Sequence, residues 1–338
     1  RRLEMYYNDE KVVDMSAEFL ETSGVRQRSS VTMKDNTAAN PFLNREVTRE
    51  NILSELGELN VTCQKGLAQK FDSSIGVTTV LMPFAGKHKL TPVQASVQAL
   101  PTLHTTSDTA TILTYGFIPK ISYYSPFLSS IYAVLESVAK VYAVGGNKDS
   151  LYFSFQEYFE KLGTDSTKWA KVTQSLLGSI YAQKEIGRPS IGGKDSMSGT
   201  FNDLNVVETL ISFACTPVKI ADVITPELKQ VGNRLYYVPV EKDEKGYPDI
   251  KKTLENYELV HKYIKEGKIV SAYVQEEGSI AASLVKMSLG NDLGFEVEKE
   301  NILNFDPASL VVEATVELPF EKLGKVSERI IINNEVFM

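Results

Sequence analysis

At 338 residues the chain is long enough for two domains, and 43% hydrophobic with 23% charged residues is an ordinary globular balance. A net charge of −7 lacks the basic surplus of a general nucleic-acid binder, yet it leaves room for a small phosphorylated ligand held by a local positive field. The two cysteines, Cys63 and Cys215, exclude a disulfide framework and a cysteine zinc site, and no apolar run reaches the ~18 residues of a membrane span.

The chain opens on Arg1-Arg2-Leu3, with neither a Met nor a signal peptide, and reads as a cytoplasmic protein and a piece of a longer one. Residues 1–14 read as strand, turn and strand, with Asn8-Asp9-Glu10 at the turn. Residues 24–45 are polar and without apolar periodicity, as in a connector, and Asn51 to Leu59 suit a short helix. From Leu67 to Pro92 strands are expected, broken by Gly76, Pro83 and Gly86. Asp108 is an acid that can serve a site or cap a turn.

A strong helix follows Ser125-Pro126, a capping residue and a first-turn proline. Leu128, Ile131, Leu135, Val138, Val141 and Tyr142 form its apolar stripe, and Gly145-Gly146 ends it. Glu136 and Lys140, four apart, share another face at the spacing of a helical ion pair. Gln156 and Glu157 read most simply as a solvated helix face. A second helix spans Asp165 to Ile186, with Trp169, Leu176, Leu177 and Ile180.

That helix leads to Ile191-Gly192-Gly193-Lys194-Asp195-Ser196-Met197-Ser198-Gly199, which has the chemistry of a phosphate-binding turn. Glycines let backbone N–H groups approach oxygens, and a lysine adds a point charge. It is not a P-loop, because Asp195 stands where Ser or Thr must follow the lysine. The plainer alternative is a glycine turn with a solvated Lys-Asp pair. Val206 to Val218 reads as a strand holding Cys215 as a small core residue, and a domain break falls near 220–232. Beyond it come a strand from Leu235, a helix near 251–266, a strand at Ile269 to Val274, a helix at Ser279 to Leu289, and strands near 294–299 and 309–318. His88, His104 and His261 show no paired metal spacing.

Gly192 to Ser198 closely resembles the GKDSMS signature of the phosphoribosylformylglycinamidine (FGAM) synthase family. Further segments agree in order: Phe71-Asp72-Ser73-Ser74-Ile75-Gly76, Ala133 to Ala139, Phe155 to Phe159, and Val206 to Ala214. The resemblance implies the second of two related halves in the large single-chain form, without the glutaminase domain. It implies an α+β fold: an aminoimidazole ribonucleotide synthetase-like N-terminal domain over 60–225, then an α/β sandwich C-terminal domain over 226–338. Residues 1–14 would be terminal strands of the preceding domain and 15–59 a connector.

The implied reaction converts formylglycinamide ribonucleotide, glutamine and ATP to formylglycinamidine ribonucleotide, glutamate, ADP and phosphate. The resemblance places ATP or ADP and magnesium in the full-length enzyme, and assigns Gly192, Gly193, Lys194, Asp195 and Ser196 to phosphate or nucleotide and Glu136 to metal. No catalytic residue is assigned to this half. The family's other metal ligands fall on Lys140 and Ala95, and a late Asp is not evident in Tyr273-Val274-Gln275-Glu276-Glu277-Gly278. The auxiliary metal-nucleotide site is therefore expected to be degenerate, with the Lys140 ammonium in the cation's place. Implied partners are the first synthetase-like half, the glutaminase domain and a small-molecule substrate, with neither nucleic acid nor membrane; the pseudo-symmetric surface also suits a homodimer. The alternative is an inert scaffold half with a vestigial nucleotide site. Other ATP enzymes of the superfamily, such as thiamine-phosphate kinase, use Asp-rich motifs not found here.

Overall fold

The structure is a computed structural model that describes residues 1–22, 28–33, 38–70 and 76–337. A hairpin of β1 (Arg2–Tyr7) and β2 (Glu10–Ser16) turns through Asn8 and Asp9 at positive φ and leads into α1 (Ala17–Thr22). Helices α2 (Arg49–Leu56) and α3 (Lys65–Lys70) precede the short pair β3 (Phe84–Ala85) and β4 (Thr91–Pro92). The first half continues through β5 (Ser96–Ala99), β6 (Thr109–Gly116), α4 (Pro119–Tyr124), α5 (Pro126–Ala143), β7 (Tyr152–Tyr158) and α6 (Ser166–Ile186). It ends with β8 (Ser190–Ser196), β9 (Thr200–Phe201), β10 (Leu204–Asn205) and β11 (Thr209–Lys219). The second half runs β12 (Arg234–Val238), α7 (Ile250–Lys265), β13 (Ile269–Val274), α8 (Ile280–Leu289) and β14 (Gly294–Val297). It closes with β15 (Leu310–Ala314), β16 (Glu321–Ser327), β17 (Ile330–Ile332) and β18 (Glu335–Val336).

Two sheets organise this mixed α and β fold. The first has the order β5-β6-β11-β7-β8, with β8 parallel to β7 at one edge. The second has the order β13-β15-β12-β16-β14-β17-β18. Its strands alternate between two cores. Tyr236, Val238, Ala272, Val274, Leu310 and Val312 face the core shared with α5 and α7. Leu235, Tyr237, Tyr273 and Val311 face a second core with α8 and Ile52 of α2. Period-two alternation with both faces apolar is what a covered sheet requires.

Helix α5 is the centre. Ser125 accepts a hydrogen bond from the Leu128 N–H, and Pro126 starts the helix as the sequence predicts. At its end the Gly145 N–H donates to the Tyr142 carbonyl and the Gly146 N–H to the Val141 carbonyl, with Gly145 at φ 97°. The apolar stripe predicts one buried face, whereas every residue from Ser129 to Ala143 is buried. The helix packs on β6 and β11, on α6, on α7 and on β13, so it has no solvent side. Helix α6 meets it through small residues. Ser130 and Ser175 share a hydroxyl hydrogen bond of 2.8 Å, and a Cβ at Gly178 would lie 2.3 Å from the Phe127 carbonyl oxygen. The large residues Leu176, Leu177 and Ile180 point outward and are exposed.

Several expectations are corrected. Leu67 belongs to α3 rather than to a strand, and between Gly76 and Pro92 only two-residue strands form. Gln156 and Glu157 lie on β7, where hydrogen bonding to β11 overrides the helical reading. Cys215 is exposed, because β11 turns it to the side of the sheet away from α5. Residues Phe71 to Ile75, the segment read as a family turn, lie outside the described residues.

Gly178→Ala lowers stability by roughly 1–2 kcal/mol in a urea titration, although alanine alone favours a helix by about 1 kcal/mol, because overpacking against the Phe127 carbonyl outweighs propensity. A variant at least as stable as the parent contradicts this close approach.

Candidate functional site

A cleft of about 610 Å³ opens between the strand β5–β6 side of the first sheet and the end of β13. That is the size of a small-ligand pocket. Tyr115, Phe117, Phe213 and Phe84 give it aromatic walls, and Gln64, Gln94, Gln98 and Asn60 give it amides. Its acids are Glu136, Glu276 and Glu277, and Lys286 lines it with them. Ala95 also lines it. Gln94 fastens the two sides together: its Nε2 donates to the Val274 carbonyl and its Oε1 accepts from the Val274 N–H, both at 2.8 Å.

The floor holds a buried charge cluster. Lys140 Nζ lies 2.8 Å from Glu136 Oε1 and 2.7 Å from Glu276 Oε1. It also donates to the Tyr115 carbonyl at 3.0 Å, and the Tyr115 ring covers it at 4.3 Å. The second oxygen of Glu136 accepts the Phe117 N–H at 2.8 Å. The side chains of Lys140 and Glu136 are 1% and 2% exposed, and that of Glu276 is 26% exposed. Both side chains lie within a run of fifteen buried residues, so this is not the solvated pair that four-residue spacing usually makes.

Two carboxylates share one ammonium, so one of them is poorly compensated. Burial pushes Glu136 up to about 7, against the pull of Lys140 and with the help of the Glu276 charge. Burial also works to raise Glu276, but Lys140, with Lys286 beyond it, outweighs burial and holds it below the usual range. The more exposed carboxylate thus keeps its charge, and the more buried one is the first to take a proton as pH falls. Burial works against the charge of Lys140, yet Glu136 and Glu276 together hold its pKa well above the ordinary lysine value. Next door, burial raises Glu277; Lys120 Nζ is 3.8 Å from its Oε2, and neither carboxylate oxygen has a hydrogen-bond partner among the described residues.

The residues singled out by the glycine motif lie elsewhere. Gly192, Gly193, Lys194, Asp195 and Ser196 form edge strand β8, extended rather than turned, because they pair in register with Ser154 to Tyr158 of β7. Neither Gly192 nor Gly193 has a positive φ. Gly193 needs its missing Cβ for another reason, since that atom would sit 2.3 Å from the Phe155 carbonyl oxygen. Lys194 Nζ lies 5.0 Å from the centre of the Tyr158 ring. Among the described residues none of the five lines the cleft. Asp108 is paired with Lys219 at 2.8 Å on the surface and is also outside it.

Sequence reading missed Glu276 as a member of the cluster. The signal was present: two adjacent acids follow the apolar strand Ile269–Val274, in the segment matched to a metal-ligating motif. Magnesium needs several oxygens at ~2.0–2.1 Å in an octahedral arrangement. Glu136 and Glu276 supply two carboxylates, but an ammonium stands between them, and the described residues contain no group of three or more His, Cys, Asp or Glu placed to hold a metal. The residues present do not fit the ion.

No protein-family model matches the chain. It is similar to the phosphoribosylformylglycinamidine synthase subunit PurL of Thermoplasma acidophilum, at 22% identity over 89% of this chain and 41% of that protein. The same subunit of Picrophilus torridus is 24% identical over 96% of this chain and 46% of that protein. The chain thus spans less than half the length of the curated relatives it matches. Among solved structures, Thermotoga maritima PurL complexed with ATP has a TM-score of 0.61 at 16% identity, covering 96% of this chain and 48% of that one. AaThiL complexed with AMPPCP and TMP has a TM-score of 0.55 at 12% identity, covering 83% of this chain and 95% of that one. The FGAM synthase resemblance read from the sequence is borne out, and the fold is the one these proteins share.

The charge cluster sets a pH dependence. Unfolded, Glu136 loses its proton near 4.5; folded, it keeps it to about 7. The folded state therefore binds more protons between these values, and this group makes stability fall as pH rises from about 4.5 to about 7. Denaturation midpoints measured across that window show the decline flattened in Glu136→Gln; an unchanged slope contradicts the assignment.

Proposed function

We propose that the chain is the second synthetase-like half of an FGAM-synthase-type ligase and that it serves as the partner and scaffold of a catalytic half. The whole enzyme would convert formylglycinamide ribonucleotide, glutamine and ATP to formylglycinamidine ribonucleotide, glutamate, ADP and phosphate, with ammonia delivered by a glutaminase domain. Similarity to PurL over most of this chain but less than half of those relatives supports the half-length reading. We place the division between its two domains near residue 225, between the end of β11 at Lys219 and the start of β12 at Arg234.

One observation carries the scaffold role: the Lys140 ammonium lies 2.8 and 2.7 Å from Glu136 and Glu276, where a nucleotide's metal would need those oxygens. An ammonium has three N–H donors. All three are used, on Glu136, Glu276 and the Tyr115 carbonyl, so none remains for a phosphate. Surface supports the pairing. The side of the first sheet away from α5 exposes Leu113, Tyr115 and Tyr152, an apolar strip of the kind that marks an interface. Edge strand β8 lies open beside it, and Gly192 to Ser196 would offer backbone N–H groups and the Lys194 charge to an anion held by the assembled protein.

The mechanistic share of this chain is then positional. The buried cluster fixes the end of β6, helix α5 and the end of β13, and so fixes the sheet surface presented to the catalytic half. Calorimetric titration with ATP or ADP in excess magnesium gives no binding heat for the chain at roughly millimolar nucleotide, the weak end of the affinity scale. Tight magnesium-dependent binding overturns the scaffold role. The chain by itself forms no FGAM from ammonia, and clear turnover refutes the half-enzyme reading.

A further inference from the structure

We infer that Lys140 is a built-in counter-cation: its ammonium holds the place of a divalent metal in an intact oxygen cage, and exchanging that side chain converts the same cage into a metal site. Three oxygens converge on Nζ at 2.8, 2.7 and 3.0 Å, from Glu136, Glu276 and the Tyr115 carbonyl. They come from three separate elements, α5, the segment after β13, and β6, so the cage is not an accident of one helix. All three are hard oxygen donors of the kind that hold magnesium, manganese or calcium.

Charge points the same way. Two carboxylates surround one ammonium, so the oxygens offer one more negative charge than that cation offsets. A divalent ion would neutralise both carboxylates. The cage therefore has the charge for a divalent ion but not the room, because the lysine side chain fills it. Distance agrees as well: oxygens 2.7–2.8 Å from nitrogen need to close by only a few tenths of an ångström to reach the ~2.3–2.6 Å of calcium, and somewhat more for smaller ions. The neighbouring cleft gives an ion a path from solvent, since Glu136 and Glu276 both line it.

The test is Lys140→Asn, which shortens the side chain, removes the ammonium and adds an amide oxygen. Manganese is the probe, read by the loss of its free-ion electron paramagnetic resonance signal and by thermal melting. The parent retains no manganese at this site. Lys140→Asn binds it at least about tenfold more tightly than the parent and melts at a higher temperature with the ion than without. Adding Glu136→Gln to Lys140→Asn abolishes both effects. If Lys140→Asn folds only when manganese is present, that equally supports the inference, because the ion then does the ammonium's work. Three results overturn it: manganese bound by the parent and lost in Glu136→Gln, a folded Lys140→Asn that binds no better than the parent, or a Lys140→Asn that stays unfolded with manganese present. The readout is metal occupancy, so the outcome is independent of whether the chain joins an FGAM-synthase-type enzyme.

Discussion

A single ammonium enclosed by two carboxylates is the constraint around which this protein is arranged. Taking three charges out of water costs several kcal/mol for each ion, and attraction offsets that only when geometry is good and the remaining hydrogen bonds are made. Here they are made: the Tyr115 carbonyl takes the third lysine proton and the Phe117 N–H takes the second oxygen of Glu136. Those partners sit at the end of β6, so the strand must end where it does for the cluster to close. Glu276 draws in the end of β13 from the other sheet. The cluster thus ties the end of β6 in one sheet and the end of β13 in the other to helix α5.

Much of this was legible in the sequence, and the boundary of legibility is physical. Helix α5 could be read because Ser125, Pro126 and Gly145 act locally, through a cap, a fixed φ and a left-handed turn. The second half could be read as far as β15 because its strands and helices alternate in periods of two and three to four, whereas β16, β17 and β18 were not read. Strand β7 could not, since Phe155 to Tyr158 become a strand by pairing with β8 and with β11, the latter more than fifty residues on. The same holds for the site. Glu136 and Lys140 announce each other by their spacing, but Glu276 reaches them only through the fold, and no local pattern carries that contact. The helix's burial was hidden too: a stripe shows one face, while the neighbours that cover the others lie on α6, α7 and β13.

The glycine motif teaches a different lesson. It identified the relatives of this chain while misleading about local shape. In the first sheet β8 is three strands away from β6, roughly 14 Å at the usual spacing of strands, and it faces outward at an edge. The motif and the charge cluster therefore do not complete one another within this chain. A signature can mark ancestry with residues that serve different surroundings, and the chemistry has to be taken from the contacts.

Helix α6 inverts the usual rule of an amphipathic helix. Over its middle turns the buried positions are Ser175, Gly178, Ser179 and Ala182, between Val172 and Ile186 at the two ends, while Leu176, Leu177 and Ile180 face out. Tolerance to sequence drift is inverted with it. Gly178 accepts nothing larger, because the Phe127 carbonyl of α5 is in contact there, whereas the outward positions tolerate residues that keep the helix. Hydrophobicity scoring would rank the leucines as the core and the serines as surface. Random mutation of this helix would contradict that ranking, and its smallest side chains would prove the least replaceable.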